Sequence, residues 1–128
     1  SDYYQKADVW PLDEEGELLA IIQIETPEGV ENIDSIISVP GIGAVFIGPS
    51  DLSAAMGYAT ANYPEVEIAI QTVLEACIEN DVTCAITTSA LTVEKRLAEG
   101  FTMVTVGTDS GLPYRAAETL KSARGVNN

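Results

Sequence analysis

Four apolar, β-rich runs, each followed by a stretch of helical periodicity, constrain this chain more than any other feature. The runs are Leu18–Ile24 (LLAIIQI), Ala44–Ile47 (AVFI), Val82–Ile86 (VTCAI) and Phe101–Val106 (FTMVTV). Near-continuous apolar strands are those buried on both faces. Helix signals fill the intervals. Thr26-Pro27 supplies a cap and a first-turn proline, Val30, Ile33, Ile36 and Ile37 follow at helical spacing, and Pro40-Gly41 stops that helix. A short turn of helix is expected over 52–57. From Pro64, residues Val66, Ala69, Ile70, Val73, Leu74, Cys77 and Ile78 form the clearest amphipathic stripe. A helix over about 90–99 ends at Gly100, a position suited to a left-handed residue, and a last helix runs from about Pro113 to Arg124.

A β-α-β-α-β-α-β-α order calls for a parallel sheet with right-handed crossovers. Two architectures compete: a four-stranded open sheet with helices on both faces, or half of an eight-stranded barrel whose full length is about 250 residues. The 128 residues suit a single, partial barrel domain without excluding a small open sheet. Ser1–Trp10 reads as a helix end entering a loop, and the abrupt start without methionine suggests a fragment.

Charge narrows the partners. Six basic residues face twenty acidic ones, a net charge of −14, so nucleic acid and anionic membranes would meet a repulsive field. Such a chain suits solubility and the collection of cations. Cys77 on a helical apolar face and Cys84 in a strand read as buried hydrophobes of a reducing compartment. No apolar run reaches the roughly 18–20 residues of a membrane span, so a cytoplasmic protein is the default expectation. There is no histidine, so any imidazole base must come from outside these residues.

In parallel α/β folds ligands bind beyond the carboxyl ends of the strands. The first strand ends Gln23-Ile24-Glu25, and residues two apart share a face, so Gln23 and Glu25 project together. The second ends Gly48-Pro49-Ser50-Asp51. A carboxylate from each of two neighbouring strand ends suits Mg²⁺ or Mn²⁺, with the remaining positions left to water and substrate. Structural roles compete: Asp51 could cap the short helix after it, and Glu25 could face the positive end of the helix begun at Thr26. Asp109 is expected to cap the last helix. Thr87, Thr88 and Ser89 are expected to be turn residues, and Arg96, Arg115 and Arg124 to lie on solvated helix faces or subunit contacts. Trp10 is expected to be a packing or interface residue. Gly41-Ile42-Gly43 precedes a strand, the wrong context for a dinucleotide loop.

The blocks Ile22-Gln23-Ile24-Glu25-Thr26, Gly29-Val30-Glu31-Asn32-Ile33, Val39-Pro40-Gly41 and Phe46-Ile47-Gly48-Pro49-Ser50-Asp51-Leu52-Ser53 strongly resemble the HpcH/HpaI family of metal-dependent 2-oxo-acid aldolases. Val106-Gly107-Thr108-Asp109 is similar to that family's final strand end. The resemblance implies the C-terminal half of a (β/α)₈ barrel. It implies a carbon–carbon lyase that cleaves or forms 4-hydroxy-2-oxo acids from pyruvate and an aldehyde. By resemblance Glu25 and Asp51 hold the divalent metal, Gln23 contacts substrate, and backbone amides at Ser50 and Asp51 hold the pyruvate carboxylate. No Schiff-base lysine is implied, and Lys95 and Lys121 fall on predicted helices. The family's histidine base and charge-stabilising arginine belong to the first half of the barrel. Two further readings stand beside this one: a non-catalytic, metal-binding half-barrel, and a citrate-lyase-like enzyme acting on a coenzyme A thioester. A half-barrel leaves unpaired sheet edges, so a homo-oligomer is expected.

Overall fold

The computed structural model describes residues 8–105 together with Gly107, Asp109, Gly111 and Pro113. In chain order the elements are β1 (Val9–Trp10), β2 (Leu18–Leu19), β3 (Ile21–Ile24), α1 (Pro27–Glu31), α2 (Ile33–Ile37), β4 (Ala44–Ile47), α3 (Pro49–Ala55), α4 (Pro64–Glu79), β5 (Thr83–Thr87), α5 (Val93–Glu99) and β6 (Met103–Thr105). Strands β3-β4-β5-β6 form one parallel sheet in strict sequence order. The predicted last helix beyond Pro113, with Arg115, Lys121 and Arg124, lies outside the described residues, and so does Val106.

Strand order decides between the two architectures. Right-handed crossovers place every helix on the same side while the order advances in one direction, and a second helical layer requires a reversal. No reversal occurs here. The apolar core accordingly gathers one parity of strand residues, Ile22, Ile24, Val45, Ile47, Cys84, Ile86 and Val104, against Val66, Ile70, Val73, Leu74 and Cys77 of α4. Each such aliphatic side chain, fully buried, contributes about 1.5–3 kcal/mol. The opposite parity forms a row of register partners across the sheet, Gln23, Phe46, Ala85 and Met103. Phe46 and Met103 take no part in the core, and Met103 and Ile21 are exposed. Helices therefore cover one face of the sheet only, as in an opened barrel. The open sheet with helices on both faces is excluded.

Several boundaries differ from the sequence expectation for local reasons. The run Leu18–Ile24 is two strands. At Ala20 its carbonyl accepts both the Gly43 N–H (3.0 Å) and the Ala44 N–H (3.3 Å), and pairing passes from β1 to β4. Val9–Trp10 is a strand where the sequence predicts a loop, and the helix end predicted before it lies outside the described residues. The first helix breaks at Asn32 (φ −100°, ψ 11°), whose side-chain amide donates to the Glu28 carbonyl at 2.8 Å. Helix α5 starts at Val93 because Ser89–Thr92 closes a turn first: the Ser89 N–H donates to Thr92 Oγ1 and the Val93 N–H to the Ser89 carbonyl, both at 3.0 Å. That arrangement bears out the turn role read for Ser89. Gly100, at φ +118°, ends α5 as its spacing predicts.

At the amino ends of the strands, Trp10 and Leu19 close on Gly43 and Leu12 on Gly41, leaving no room for a Cβ at either glycine. Trp10 is therefore a packing residue, although 41% exposed. Cys77 and Cys84 are both buried and unbridged. The neighbouring Cys77 and burial together push the Cys84 thiol above its ordinary range. Among the described residues no helix is long and apolar enough to cross a membrane.

Candidate functional site

The carboxyl ends of β3 and β4 lie side by side because Gln23 pairs with Phe46 and Ile24 with Ile47. The chain just past each end is what carries polar groups. Gln23 Nε2 donates to Glu25 Oε2 at 2.7 Å. Across from them Gly48 caps α3 and Pro49 opens it, which puts Ser50 and Asp51 in the first turn of a helix. The spacing predicts that helix only from Leu52, although Gly48-Pro49 carries the start signal. Asp51 makes no capping hydrogen bond, so the capping alternative does not describe it.

A Cβ placed on Gly48 would lie 3.2 Å from Asp51 Oδ2, 3.3 Å from Gln23 Nε2 and 3.8 Å from Glu25 Oε2. The three side chains read from the sequence thus converge on one point above Gly48. Backbone donors adjoin them. The first α3 amide to find a carbonyl is that of Leu52, on Gly48 at 2.9 Å. Pro49 has no N–H, and those of Ser50 and Asp51 are left to groups outside the helix. The Ser50 carbonyl accepts the Ser53 hydroxyl at 2.8 Å, which fixes the turn. Gln23, Ser50 and Asp51 are exposed and Glu25 is half-buried. Hence the strand-end surface presents two carboxylates and two outward amides.

Two hard oxygen donors from adjacent strand ends fit a small divalent cation that keeps several of its waters. Among the described residues no third histidine, cysteine, aspartate or glutamate joins them. Such a pair would leave most of the coordination sphere to water and an oxygen-rich ligand.

Beside Ser50 opens a cleft of about 550 Å³ between α3, the start of α4 and the β5–α5 turn. Ser50, Tyr63, Thr88, Ser89, Thr92 and Arg96 are among the residues that line it. Thr88 is buried and ties the turn to β6, its hydroxyl donating to the Thr105 carbonyl at 2.7 Å.

Arg96 departs from the solvated position expected of it. It is 8% exposed. Its guanidinium donates to Glu67 Oε1 (2.7 Å) and Oε2 (2.8 Å) and to Glu99 Oε2 (2.9 Å), and sits 6.0 Å from the centre of the Phe101 ring. Lys95 reaches Glu67 at 3.2 Å and Glu99 at 3.4 Å. The Arg96 guanidinium holds the Glu67 carboxyl down at about 2, with Gln71 and Lys95 adding to it against partial burial. The same pairing raises Arg96. This clasp joins α4 to α5 behind the cleft, and with its charges matched it offers no spare cation to a ligand.

Comparison with known proteins agrees with the geometry. The model of the HpcH/HpaI aldolase/citrate lyase family matches residues 5–116. The chain belongs to that family. It is 39% identical over 127 residues to a 4-hydroxy-2-oxo-heptane-1,7-dioate aldolase of Escherichia coli (strain ATCC 8739), covering 98% of this chain and 46% of the relative. A 5-keto-4-deoxy-D-glucarate aldolase of Citrobacter koseri is 36% identical over 105 residues, 80% of this chain and 41% of its own length. The crystal structure of a family member from Burkholderia cenocepacia J2315 superposes with a TM-score of 0.83 at 28% identity, over 96% of this chain and 46% of that one. This HpcH/HpaI chain therefore spans about half the length of the relatives it matches, in keeping with its half-covered sheet.

Proposed function

We propose that this chain forms part of a divalent-metal-dependent carbon–carbon lyase that cleaves 4-hydroxy-2-oxo acids into pyruvate and an aldehyde, or runs the reverse condensation. The convergence of Gln23, Glu25 and Asp51 around Gly48, in a chain related to 2-oxo-acid aldolases, carries this reading. Glu25 and Asp51 would hold Mg²⁺ or Mn²⁺. When bound, the cation supplies Lewis-acid polarisation of the 2-oxo carbonyl. The outward amides of Ser50 and Asp51 would take the pyruvate carboxylate, as first-turn helix amides do for anions, and Gln23 would orient the oxo acid. With no histidine in the chain, an imidazole base would have to come from elsewhere in the barrel, and loss of a general base slows a reaction about 10²–10⁴-fold.

A second reading rests on the uncovered face: two copies associate edge to edge through β3 and β6, with or without catalysis. Two free, buried cysteines accord with a reducing, cytoplasmic setting.

Thermal melting tests the metal reading. Saturating Mn²⁺ should raise the melting temperature of the wild type, by the equivalent of about 2.7 kcal/mol at a hundredfold excess over Kd, with a further rise on adding oxalate as a pyruvate mimic. Glu25→Ala should respond to neither. An identical response from both proteins, or none from the wild type, sinks the proposal. Cleavage of a 4-hydroxy-2-oxo acid, measured as pyruvate released, tests the reaction itself.

A further inference from the structure

We propose that Gln23 is a positioning residue for the cation, its amide holding Glu25 in place across a gap that Gly48 leaves open. The inference rests on the metal reading above and adds a role to Gln23 besides orienting the oxo acid. A glutamate at an exposed strand end has three freely turning side-chain bonds, and a cation must stop them all. Here one is stopped beforehand, because Gln23 Nε2 donates to Glu25 Oε2 at 2.7 Å. Only the amide nitrogen can face a carboxylate, which accepts and never donates. Oε1 of Glu25 is left for a cation, and the second N–H and the carbonyl oxygen of Gln23 are left for a ligand beside it. Gln23 Nε2 and Asp51 Oδ2 both lie within 3.3 Å of the point where a Cβ on Gly48 would stand.

Gly48 supports the same conclusion by a different route. Its φ of −99° and ψ of 92° are open to any residue, so backbone conformation does not call for glycine. Space does. A Cβ at this position would press on Asp51 Oδ2 and Gln23 Nε2 at 3.2 and 3.3 Å, closer than ordinary van der Waals contact. An alanine would make the amide and the carboxylate each give way by a few tenths of an ångström, which shifts the donor and the ligand relative to Glu25.

Mn²⁺ binding, followed by titration calorimetry without any oxo acid, tests this. Gln23→Ala should weaken Mn²⁺ about tenfold or more, the loss typical of removing a partner that orients a metal ligand. Its melting temperature without metal should stay that of the wild type, since Gln23 is exposed. Gly48→Ala should weaken Mn²⁺ in the same direction with the hydrogen-bonding groups all retained. A Gln23→Ala protein that binds Mn²⁺ within twofold of the wild type, and loses only oxalate affinity once loaded with Mn²⁺, overturns the positioning role and leaves the metal site standing. A Glu25→Gln protein that binds Mn²⁺ as well as the wild type overturns the metal reading itself.

Discussion

Ile47 and Phe46 are neighbours on β4, yet they inhabit different environments. Ile47 is fully buried beneath the helices, and Phe46 is half-buried on the uncovered side. The same contrast runs across the sheet, from buried Ile24 beside exposed Gln23 to buried Ile86 beside exposed Thr87, while the small Ala85 is buried on the Phe46 side. One face is closed by packing of residues made within this chain. The other is built to the same pleat and carries no charged strand residue. Its small residues Ala44 and Ala85 are buried, but among the described residues no helix packs on it, and Phe46, Gln23 and Met103 stay partly or largely exposed. Stability is thus concentrated on the helical side, and the uncovered side is where further barrel units or a second copy would act.

Paired substitutions probe this most strongly. Ile47→Ala should cost about 3 kcal/mol of unfolding free energy, a transfer loss plus a cavity, whereas Phe46→Ala should cost under about 1 kcal/mol. Urea denaturation measures both. Equal losses would break the comparison, because they would mean that the Phe46 face is buried in solution; light scattering would then reveal an associated state that Phe46→Lys disperses.

The clasp behind the cleft should give the next largest effect. Glu67→Gln leaves the buried Arg96 with Glu99 as its one carboxylate partner and should cost about 1 kcal/mol near neutral pH. Its pH dependence has a definite sign. The folded carboxyl titrates at about 2 against an ordinary 4.5, so its contribution is complete above about 4.5 and is lost as pH falls from there toward 2. Wild type and Glu67→Gln should therefore converge in stability through that acid range. A gap between them that stays constant down to pH 2 contradicts the pairing.

Effects of similar or smaller size sharpen the picture of the helical layer. Thr26 Oγ1 accepts the Gly29 N–H at 3.1 Å, and Thr26→Ala should cost about 1 kcal/mol. Lys95, whose side chain is 56% exposed, should change stability by less than about 0.5 kcal/mol on replacement by alanine, despite its two ion pairs. Chemical denaturation of each variant at low and high salt separates the two, since only the lysine effect should fade with salt.

Much of this was legible in the residues, and the failures have physical causes. The run Ala44–Ile47 is a strand at the bounds its composition predicts. The helical stripe places Val66, Ala69, Ile70, Val73, Leu74 and Cys77 in the core. It errs at Ile78, 59% exposed at the last turn, beside Gly100. Period-two spacing brought Gln23 and Glu25 to one face, and adjacency of strand ends brought them to Asp51. Arg96 was not legible in full. Its neighbour Glu99 stands at helical spacing, but Glu67 comes from α4 and meets it only because the sheet sets α4 and α5 side by side. The break at Ala20 was equally hidden, since alternation within LLAIIQI says nothing about which partner each half pairs with.

The strict strand order also bears on how the chain assembles. Each strand of the main sheet pairs with the one made just before it, so no early segment must wait for a distant late one. Register partners lie from 18 residues apart (Ala85 and Met103) to 39 apart (Ala44 and Thr83), crossovers whose closure entropy grows only slowly with length. The sheet can grow strand by strand in the direction of synthesis, with the helical cover laid down behind each addition.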